Sequence, residues 1–389
     1  MKVGIYAAEP YPGGEITYIK SLIKALSLVQ DLTVILYVTQ ESFQYFADLT
    51  NSISIKHTRN FKLRFGGTSL SKKLQRRFSI FAFQILDILN IKPTKIDDND
   101  LDLFIFPYCA KEAIITNAPY IIIPHDKRAF ETNNYFRYKL FKRLFYKARA
   151  IVAESTYVKK DILKFLPDEG RKVKVIISPP PFYKIEDRQI NLIEVINKYK
   201  LPAKFVIYPA HIIPAKNHIN LIAALKKISE THECSVNLIC IYASNNPGYL
   251  AKVKCTITNI GLSETIIFYE KIPYDDLIAM YKLTTALVMP TLFESVSMPI
   301  WEAFFLGVPV VSSNVCALPE QVGDAGLIFD PYNIDDMAKK IHRIWTDENL
   351  RRNLIKKGGE RVKEMTLENY ARQWEEIIEE ALKKNDKTH

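Results

Sequence analysis

Two glutamates, Glu294 and Glu302, stand eight positions apart and are the residues of this sequence best placed for hydrogen-bond or charge chemistry. An apolar run at 286–290 precedes the pair and a second one, at 308–312, follows it. Pro299 lies between them near the start of a helical segment, where its missing N–H costs nothing. Strand, turn, helix and strand in so few residues predict a parallel βαβ crossover.

Such a crossover brings functional groups to the carboxyl end of a sheet, which is where open α/β sheets bind ligands. The free N–H groups of the first helical turn, near Met298 to Ile300, can hold a phosphate there. The plain alternative is that Glu302 is only a favourable acid in a first helical turn and Glu294 a solvated loop residue.

The segments 290–314 and 318–326 match a known pattern nearly throughout. They resemble the Glu-(seven residues)-Glu signature of retaining glycosyltransferases with two facing Rossmann-like domains, the GT-B fold, and most closely family 4, or group 1. The resemblance implies an α/β chain with a cleft between two such domains. One departure is Ser297, where the family usually has glycine, because serine cannot expose the backbone as freely.

The resemblance also implies a reaction. A hexose would pass from a nucleotide-diphosphate sugar to a hydroxyl of a glycan or lipid-linked acceptor, with retention and without cofactor or metal. Bacterial enzymes that build lipopolysaccharide and other surface polysaccharides are similar to this chain. Catalytic Glu294 would act at the transferred sugar and Glu302 would bind the ribose. The diphosphate would lie against Ser297, Met298 and Pro299.

The loop 209–218 follows an apolar run at 205–208 and resembles the first loop of the family's second domain. Lys216 falls on the family's lysine, and His211 occupies the position usually held by arginine. Lys216 can offset the charge that builds on a departing diphosphate, whereas His211 can do so only when protonated. The alternative for Lys216 is a solvated loop lysine without a role in binding. Because His211 and Ser297 depart from the motif, a nucleotide-sugar-binding or scaffold protein without turnover is the alternative function.

Three further candidates lie in the first half of the chain. Gly13 and Gly14 separate the first strand from the first helix, where backbone can close on a diphosphate or simply form a tight turn. His125 follows a buried strand at 120–123 and so faces the ligand side of the sheet. The family commonly places a His or Asp near the reacting sugar, so His125, more than Asp126, is a catalytic candidate. The alternative, and the default for a histidine in this position, is a structural residue whose hydrogen bonds are made within the fold.

The prolines at 179–181 are the strongest linker signal in the 389 residues. We place an N-terminal Rossmann-like acceptor domain at 1–181 and a C-terminal nucleotide-sugar domain at 182–366. The amphipathic helix at 368–385 is expected to cross back onto the first domain, as in GT-B proteins. Predicted strands alternate with helices, as a doubly wound sheet requires, at 3–8, 32–38, 52–56, 101–106, 120–123, 150–153, 173–177, 205–208, 236–241, 266–269, 286–289, 308–312 and 326–329.

The formal net charge of +10 suits an anionic partner. Basic and aromatic residues interleave at 61–78 and 137–149. These segments could lie on an anionic bilayer, or they could be surface helices with a solvated basic face. No nucleic-acid-reading motif accompanies them, so we expect no nucleic acid partner.

No apolar run approaches the 18 or so residues of a membrane span. The first residues lead directly into a strand, so we expect a cytoplasmic protein, peripheral on the inner membrane face if the basic segments bind lipid. Five scattered cysteines without Cys-x-x-Cys indicate reduced thiols rather than a zinc site. The segment 97–100 could bind a hard cation, but its position favours a solvated turn. We therefore expect no metal and no cofactor.

Overall fold

The chain forms two compact units in the computed structural model. The structure describes residues 1–8, 10, 14–58, 98, 100–107, 113, 116–125, 135–180, 190–243 and 246–383. Unit 1 comprises Met1–Ser178 with Leu367–His389, and unit 2 comprises Pro179–Thr366. The chain therefore leaves unit 1 at the proline-rich segment and returns to it for its last helix.

Within the described residues, each unit contains one sheet of parallel strands. The strands of unit 1 are β1 (Lys2–Tyr6), β2 (Thr33–Val38), β3 (Ser54–His57), β4 (Leu103–Phe106), β5 (Tyr120–Ile122), β6 (Ala150–Ala153) and β7 (Val173–Val175). Those of unit 2 are β8 (Val206–Pro209), β9 (Leu238–Tyr242), β10 (Ile266–Glu270), β11 (Ala286–Met289), β12 (Val310–Ser313) and β13 (Gly326–Phe329). Most are continuous apolar runs because a parallel sheet is covered on both faces.

Helices connect these strands. They are α1 (Gly14–Leu26), α2 (Gln40–Phe43), α3 (Tyr135–Lys147), α4 (Thr156–Phe165), α5 (Leu192–Tyr199), α6 (His218–His232), α7 (Pro247–Asn259), α8 (Tyr274–Leu283), α9 (Met298–Phe305), α10 (Leu318–Val322), α11 (Ile334–Thr346), α12 (Glu348–Val362) and α13 (Leu367–Lys383). Several starts carry the side-chain caps that helix ends need. Ser155 accepts from the backbone N–H of Val158, and Asp347 accepts from that of Leu350.

The strand orders are those of doubly wound sheets. In the described residues, the sheet of unit 1 runs β3-β2-β1-β4-β5-β6-β7 and the sheet of unit 2 runs β10-β9-β8-β11-β12-β13. The order reverses between β1 and β4 in unit 1, and between β8 and β11 in unit 2. Ligands of such sheets bind outside the carboxyl ends of the strands at this switch point. The loops after β8 and β11 are therefore the positions of interest in unit 2.

The observed strands follow the predicted apolar runs, with small differences at their ends. The run predicted at 308–312 forms a strand only from Val310. Gly307 turns the chain in the left-handed region, with φ 69°, directly after α9. Because this turn must be completed before the backbone can extend, the pairing with β11 begins at Val310 opposite Leu287.

The last helix, α13, packs in the core of unit 1. Its Tyr370, Trp374 and Ile378 are buried in one cluster with residues of α1 and β1, among them Leu22 and Ile5. The apolar face of this amphipathic helix is thus covered by α1. Unit 1 is therefore built from two separate stretches of the chain.

Candidate functional site

Lys216 and Glu294 contact each other at the carboxyl edge of the sheet of unit 2. Lys216 ends a short 3-10 turn, Pro214–Lys216, in the loop after β8. Glu294 lies in the loop after β11, the strand that pairs with β8 at the switch point. The Lys216 Nζ and the Glu294 Oε2 form an ion pair, and the two side chains are 17% and 20% exposed. The pair is thus shielded but reachable from solvent.

Backbone contacts hold the two loops of this pair together. The carbonyl oxygen of Ala215 accepts a hydrogen bond from the Leu292 N–H at 2.8 Å and from the Thr291 hydroxyl at 3.1 Å. On the other side, the buried Tyr208 hydroxyl donates to the carbonyl oxygen of Lys216 at 2.8 Å. The backbone on which Lys216 stands is therefore fixed against the segment that leads to Glu294.

A side-chain amide clamps the start of helix α9. Gln321 accepts from the N–H of Ser297 at 2.9 Å and donates to its carbonyl oxygen at 2.6 Å. Pro299 has no N–H, and the N–H of Ile300 donates to the Ser297 carbonyl at 3.2 Å. The prediction of free N–H groups near Met298 to Ile300 is therefore wrong for Ile300. Of these three residues, Met298 keeps a first-turn donor suited to a phosphate.

Glu302 is buried in α9 and turns towards helix α8. Its Oε2 accepts a hydrogen bond from the Tyr281 hydroxyl at 2.9 Å, a partner that sequence reasoning missed. Burial raises the pKa of the Glu302 carboxyl from 4.5 to about 7, and the Tyr281 hydrogen bond opposes this rise in part. The structure pairs Glu302 with Tyr281 rather than with Lys216 or Glu294.

Two histidines lie close to Lys216 along the chain. His211 is half-buried in the same loop, and its carbonyl oxygen accepts from the N–H of Ile213 at 3.1 Å. His218 begins α6, is almost completely buried and packs against the Tyr208 ring at 4.9 Å between centroids. Burial, and next the charge of Lys216, lower the pKa of His218 to about 4. His218 is therefore neutral at physiological pH.

His125 belongs to unit 1, where Glu154 holds it. The His125 Nδ1 contacts the Glu154 Oε2, and the Tyr18 ring meets the imidazole edge-on at 5.0 Å between centroids. His125 follows β5 and Glu154 follows β6, the next strand of the sheet. Sequence reasoning missed Glu154. The available signal was its position as a carboxylate directly after a buried strand, next to the strand that precedes His125.

The glycine candidates are only partly described. Gly14 opens α1, is exposed, and has open space where a Cβ would stand. The structure thus leaves room beside Gly14 but shows no close backbone approach that requires glycine there. Gly13 and Asp126 lie outside the described residues.

The basic-aromatic segment 137–149 is only in part a surface feature. Helix α3 buries Phe141 and Phe145 in the core of unit 1, and Tyr138 packs edge-on against Phe165 at 5.0 Å between ring centroids. Of the two interpretations left open for this segment, the burial of both phenylalanines favours a surface helix whose apolar stripe faces the core. Lys142 instead lies over the Tyr146 ring at 5.9 Å. Segment 61–78 lies outside the described residues.

The acidic segment 97–100 contains a structural carboxylate. Asp98 is buried and accepts hydrogen bonds from the Thr116 hydroxyl at 2.7 Å and from the Asn117 N–H at 2.6 Å. The prediction of a solvated turn is therefore wrong for Asp98. Within the described ranges, no three His, Cys, Asp or Glu side chains are grouped as a metal site would require. None of the helices that the structure describes is both long and apolar enough to cross a bilayer.

Comparison with known proteins connects unit 2 to one family. Residues 191–361 match the family described as Glycosyl transferases group 1. The O-antigen chain mannosyltransferase B of Escherichia coli is 32% identical over 177 residues, which are 45% of this chain and 46% of that protein. The serotype-specific mannosyltransferase WbdA of Escherichia coli is 29% identical over 213 residues, 54% of this chain and 26% of that protein. The chain thus spans less than half of the length of either relative.

Solved structures resemble the whole chain in fold. A glycosyltransferase from Rickettsia africae superposes with a TM-score of 0.74 at 17% identity, over 98% of both chains. Anabaena Alr3699/HepE, solved in complex with UDP and glucose, gives a TM-score of 0.72 at 16% identity, over 97% of this chain and 99% of that one. At this identity the likeness concerns the fold. The chain therefore has the two Rossmann-like domains of the GT-B fold, and its residues 191–361 match the group 1 glycosyl transferases.

Proposed function

We propose that this protein is a retaining hexosyltransferase. It moves a sugar from a nucleotide-diphosphate donor to a hydroxyl of a glycan or lipid-linked acceptor in bacterial surface polysaccharide synthesis. The observation that carries the proposal is the Lys216–Glu294 ion pair at the switch point of unit 2. A cation beside a carboxylate at that edge matches a ligand in which an anionic diphosphate is joined to a sugar rich in hydroxyl donors.

In this mechanism the donor separates the two charges. Lys216 turns to the diphosphate and, with the Met298 N–H, offsets the negative charge that grows as the anomeric C–O bond breaks. Glu294, released from the lysine, accepts hydrogen bonds from sugar hydroxyls and stabilises positive charge at the anomeric carbon. The acceptor oxygen attacks the face that the diphosphate leaves, and its proton passes to a departing phosphate oxygen.

Glu302 would bind the nucleoside, and no metal would be needed. While its Oε2 holds the Tyr281 hydroxyl, its other oxygen can accept from a ribose hydroxyl. Lys216 supplies a full positive charge for the diphosphate, the task that a divalent cation performs in many other phosphate sites. We therefore expect turnover to be unchanged by a chelator such as EDTA.

The relatives indicate which donor to test first. The two relatives described above are named mannosyltransferases, so a nucleotide-diphosphate mannose is the proposed donor. A glucose donor is the second choice, because a structure of similar fold was solved with UDP-glucose.

The experiment incubates the purified protein with a panel of nucleotide sugars and acceptor glycans, and measures released nucleoside diphosphate together with the glycosylated product. Lys216→Ala and Glu294→Gln should each lower kcat/KM roughly a hundredfold with the fold retained by circular dichroism. Lys227→Ala is the control, since it removes a lysine that is ion-paired to Asp335 elsewhere in unit 2. Near-normal turnover in both site variants would refute the assignment.

A nucleotide-sugar-binding protein without turnover is the second candidate. The observation in its favour is the clamp of Gln321 on Ser297, which occupies a backbone N–H at the start of α9. Calorimetry with a nucleotide sugar, followed by chromatography of the bound fraction, separates the two functions. Recovery of intact donor in the presence of every acceptor favours the binding protein.

We also propose that the outer face of α3 contacts an anionic membrane at the cytoplasmic side. Lys139, Arg143, Tyr146 and Lys147 are exposed there, and Tyr146 keeps 39% of its surface. Basic and aromatic side chains together suit an anionic interface. Cosedimentation with phosphatidylglycerol vesicles should decrease in Lys139→Glu/Lys147→Glu and stay unchanged in Lys340→Glu. Equal sedimentation of all three proteins would contradict the idea.

A further inference from the structure

Asn217 lies at the junction between the Lys216 turn and helix α6. It is 5% exposed and adopts the left-handed conformation, with φ 58° and ψ 33°. Asparagine and glycine enter this region more readily than other residues do. The side chain makes no capping hydrogen bond to α6, although asparagine is among the preferred residues for that task. Its amide is therefore directed to other partners.

Those partners belong to two other loops at the same edge of the sheet. The Nδ2 of Asn217 donates to the carbonyl oxygen of Pro290 at 3.0 Å and to that of Pro331 at 2.9 Å. Pro290 directly follows β11 and begins the loop of Glu294, and Pro331 follows β13. An amide NH₂ carries two protons, so the side chain can satisfy both carbonyls at once. One buried side chain thus joins the loops after β8, β11 and β13.

These bonds complete a set of contacts on both sides of Lys216. The residue before it, Ala215, accepts from Thr291 and Leu292, and the residue after it, Asn217, donates to Pro290. The backbone of Lys216 is therefore bound to the 290–292 segment at both neighbouring residues. That segment ends only two residues before Glu294.

We propose that Asn217 is a positioning residue, whose amide fixes the Lys216 and Glu294 loops so that the two side chains meet. Both N–H groups of its amide are used on loop carbonyls, so we assign it to holding the loops and not to the reaction itself. Its effect on catalysis rests on the proposed glycosyl transfer, whereas its effect on the ion pair does not.

Asn220 provides a matched control one turn further along α6. Its Nδ2 donates to the same Pro331 carbonyl at 3.2 Å and has no bond to Pro290. Asn220→Ala therefore removes a contact with the β13 loop and keeps the contact with the Glu294 loop. Asn217→Gly removes both contacts of the amide, and glycine adopts φ 58° without strain.

The first test measures the coupling of the ion pair by a double-mutant cycle on the melting temperature. Lys216→Met, Glu294→Gln and the double variant are prepared in the wild-type, Asn217→Gly and Asn220→Ala backgrounds. We expect non-additive shifts in Tm in the wild-type and Asn220→Ala backgrounds, and additive shifts in the Asn217→Gly background. Equal coupling in all three would overturn the proposal, even if Asn217→Gly lowers Tm.

The second test measures turnover. Asn217→Gly should lower kcat/KM roughly tenfold to a hundredfold, because a small misplacement of a binding group is costly, whereas Asn220→Ala should stay near wild type. Equal losses in both variants would reduce Asn217 to a general stabiliser and overturn the proposal. If the wild-type protein turns over no nucleotide sugar, the proposed function fails, and the coupling cycle still decides the role of Asn217.

Discussion

Lys216 and Glu294 neutralise each other in the structure, and this pairing determines how their variants must be interpreted. Both side chains are mostly buried, at 17% and 20% exposure. Removing one partner leaves the other charge poorly solvated, and this costs more than removing both partners together. A loss of stability in a single variant therefore says little about function. Turnover and stability have to be measured on the same samples.

The carboxyl of Glu302 should make the stability of unit 2 depend on pH. In the folded protein burial raises its pKa to about 7, whereas the unfolded chain releases the proton near 4.5. Between these values the folded state binds more protons than the unfolded state, so stability falls as pH rises through 7. The loss is on the order of 3 kcal/mol. Glu302→Gln should remove it, so the variant is more stable than wild type at pH 8 and about equal near pH 4.5.

Urea unfolding at pH 4.5, 6 and 8 checks this expectation. The control is Glu264→Gln, which neutralises an exposed glutamate and should follow the wild-type curve. The assignment would be contradicted if Glu302→Gln and wild type differed in free energy of unfolding by the same amount at all three pH values.

At the scale of single residues, the sequence predicts the charged side chains of the site but not the residues whose hydrogen bonds position them. Lys216 and Glu294 can be found because each stands in the loop after an apolar strand, in a short segment that resembles a family motif. Asn217, Tyr281 and Gln321 could not be found, because their hydrogen bonds join segments that lie far apart in the chain. Nothing in the local spacing distinguishes an amide that clamps a loop from one that faces water.

Helix α12 positions helix α9, which carries Glu302. Gly358 of α12 is buried against the ring of Phe304 in α9, and a Cβ at Gly358 would lie 2.7 Å from the Phe304 Cδ1. Such a distance is too short for a carbon–carbon contact, so the helices can approach this closely only because residue 358 is glycine. The neighbouring Gly359 is exposed and would meet nothing within 4 Å.

The two glycines give a matched pair of substitutions in one helix. Gly359→Ala should raise stability by about 1 kcal/mol, because alanine is the better helix former. Gly358→Ala gains the same propensity but overpacks the contact with Phe304, at a cost of about 1–3 kcal/mol. We expect Gly358→Ala to melt below Gly359→Ala by differential scanning calorimetry. The reverse order would show that α9 and α12 are not packed as described.

The elements themselves were largely predictable, and the exceptions have physical reasons. The strands β4, β5, β6 and β11 could be recognised because a strand buried on both faces consists almost entirely of apolar residues. The role of helix α3 stayed open because a basic helix that covers a core and one that lies on lipid share the same periodicity. The burial of Phe141 and Phe145 depends on neighbours that the local sequence does not name.

At the scale of the whole molecule, the two units are built differently. Unit 2 is one continuous stretch, Pro179–Thr366, whereas unit 1 needs Leu367–His389 in addition to its first 178 residues. Its core contains Trp374 at 0% exposure, so a tryptophan near the end of the sequence stabilises strands near its beginning. A destabilising substitution in α13 should therefore lower the stability of unit 1 and not that of unit 2.

Trp374→Ala tests this division in the full chain. Removing a buried tryptophan costs about 3–5 kcal/mol, which approaches the whole stability of many domains. Amide hydrogen exchange should accelerate in β1, α1 and α13 and stay unchanged in β8 to β13. Arg372→Ala is the control, because that side chain lies on the exposed face of the same helix and is ion-paired to Glu376 one turn away. Faster exchange in both units alike would mean that they unfold as one body, and unchanged exchange in β1 and α1 would mean that α13 does not support them.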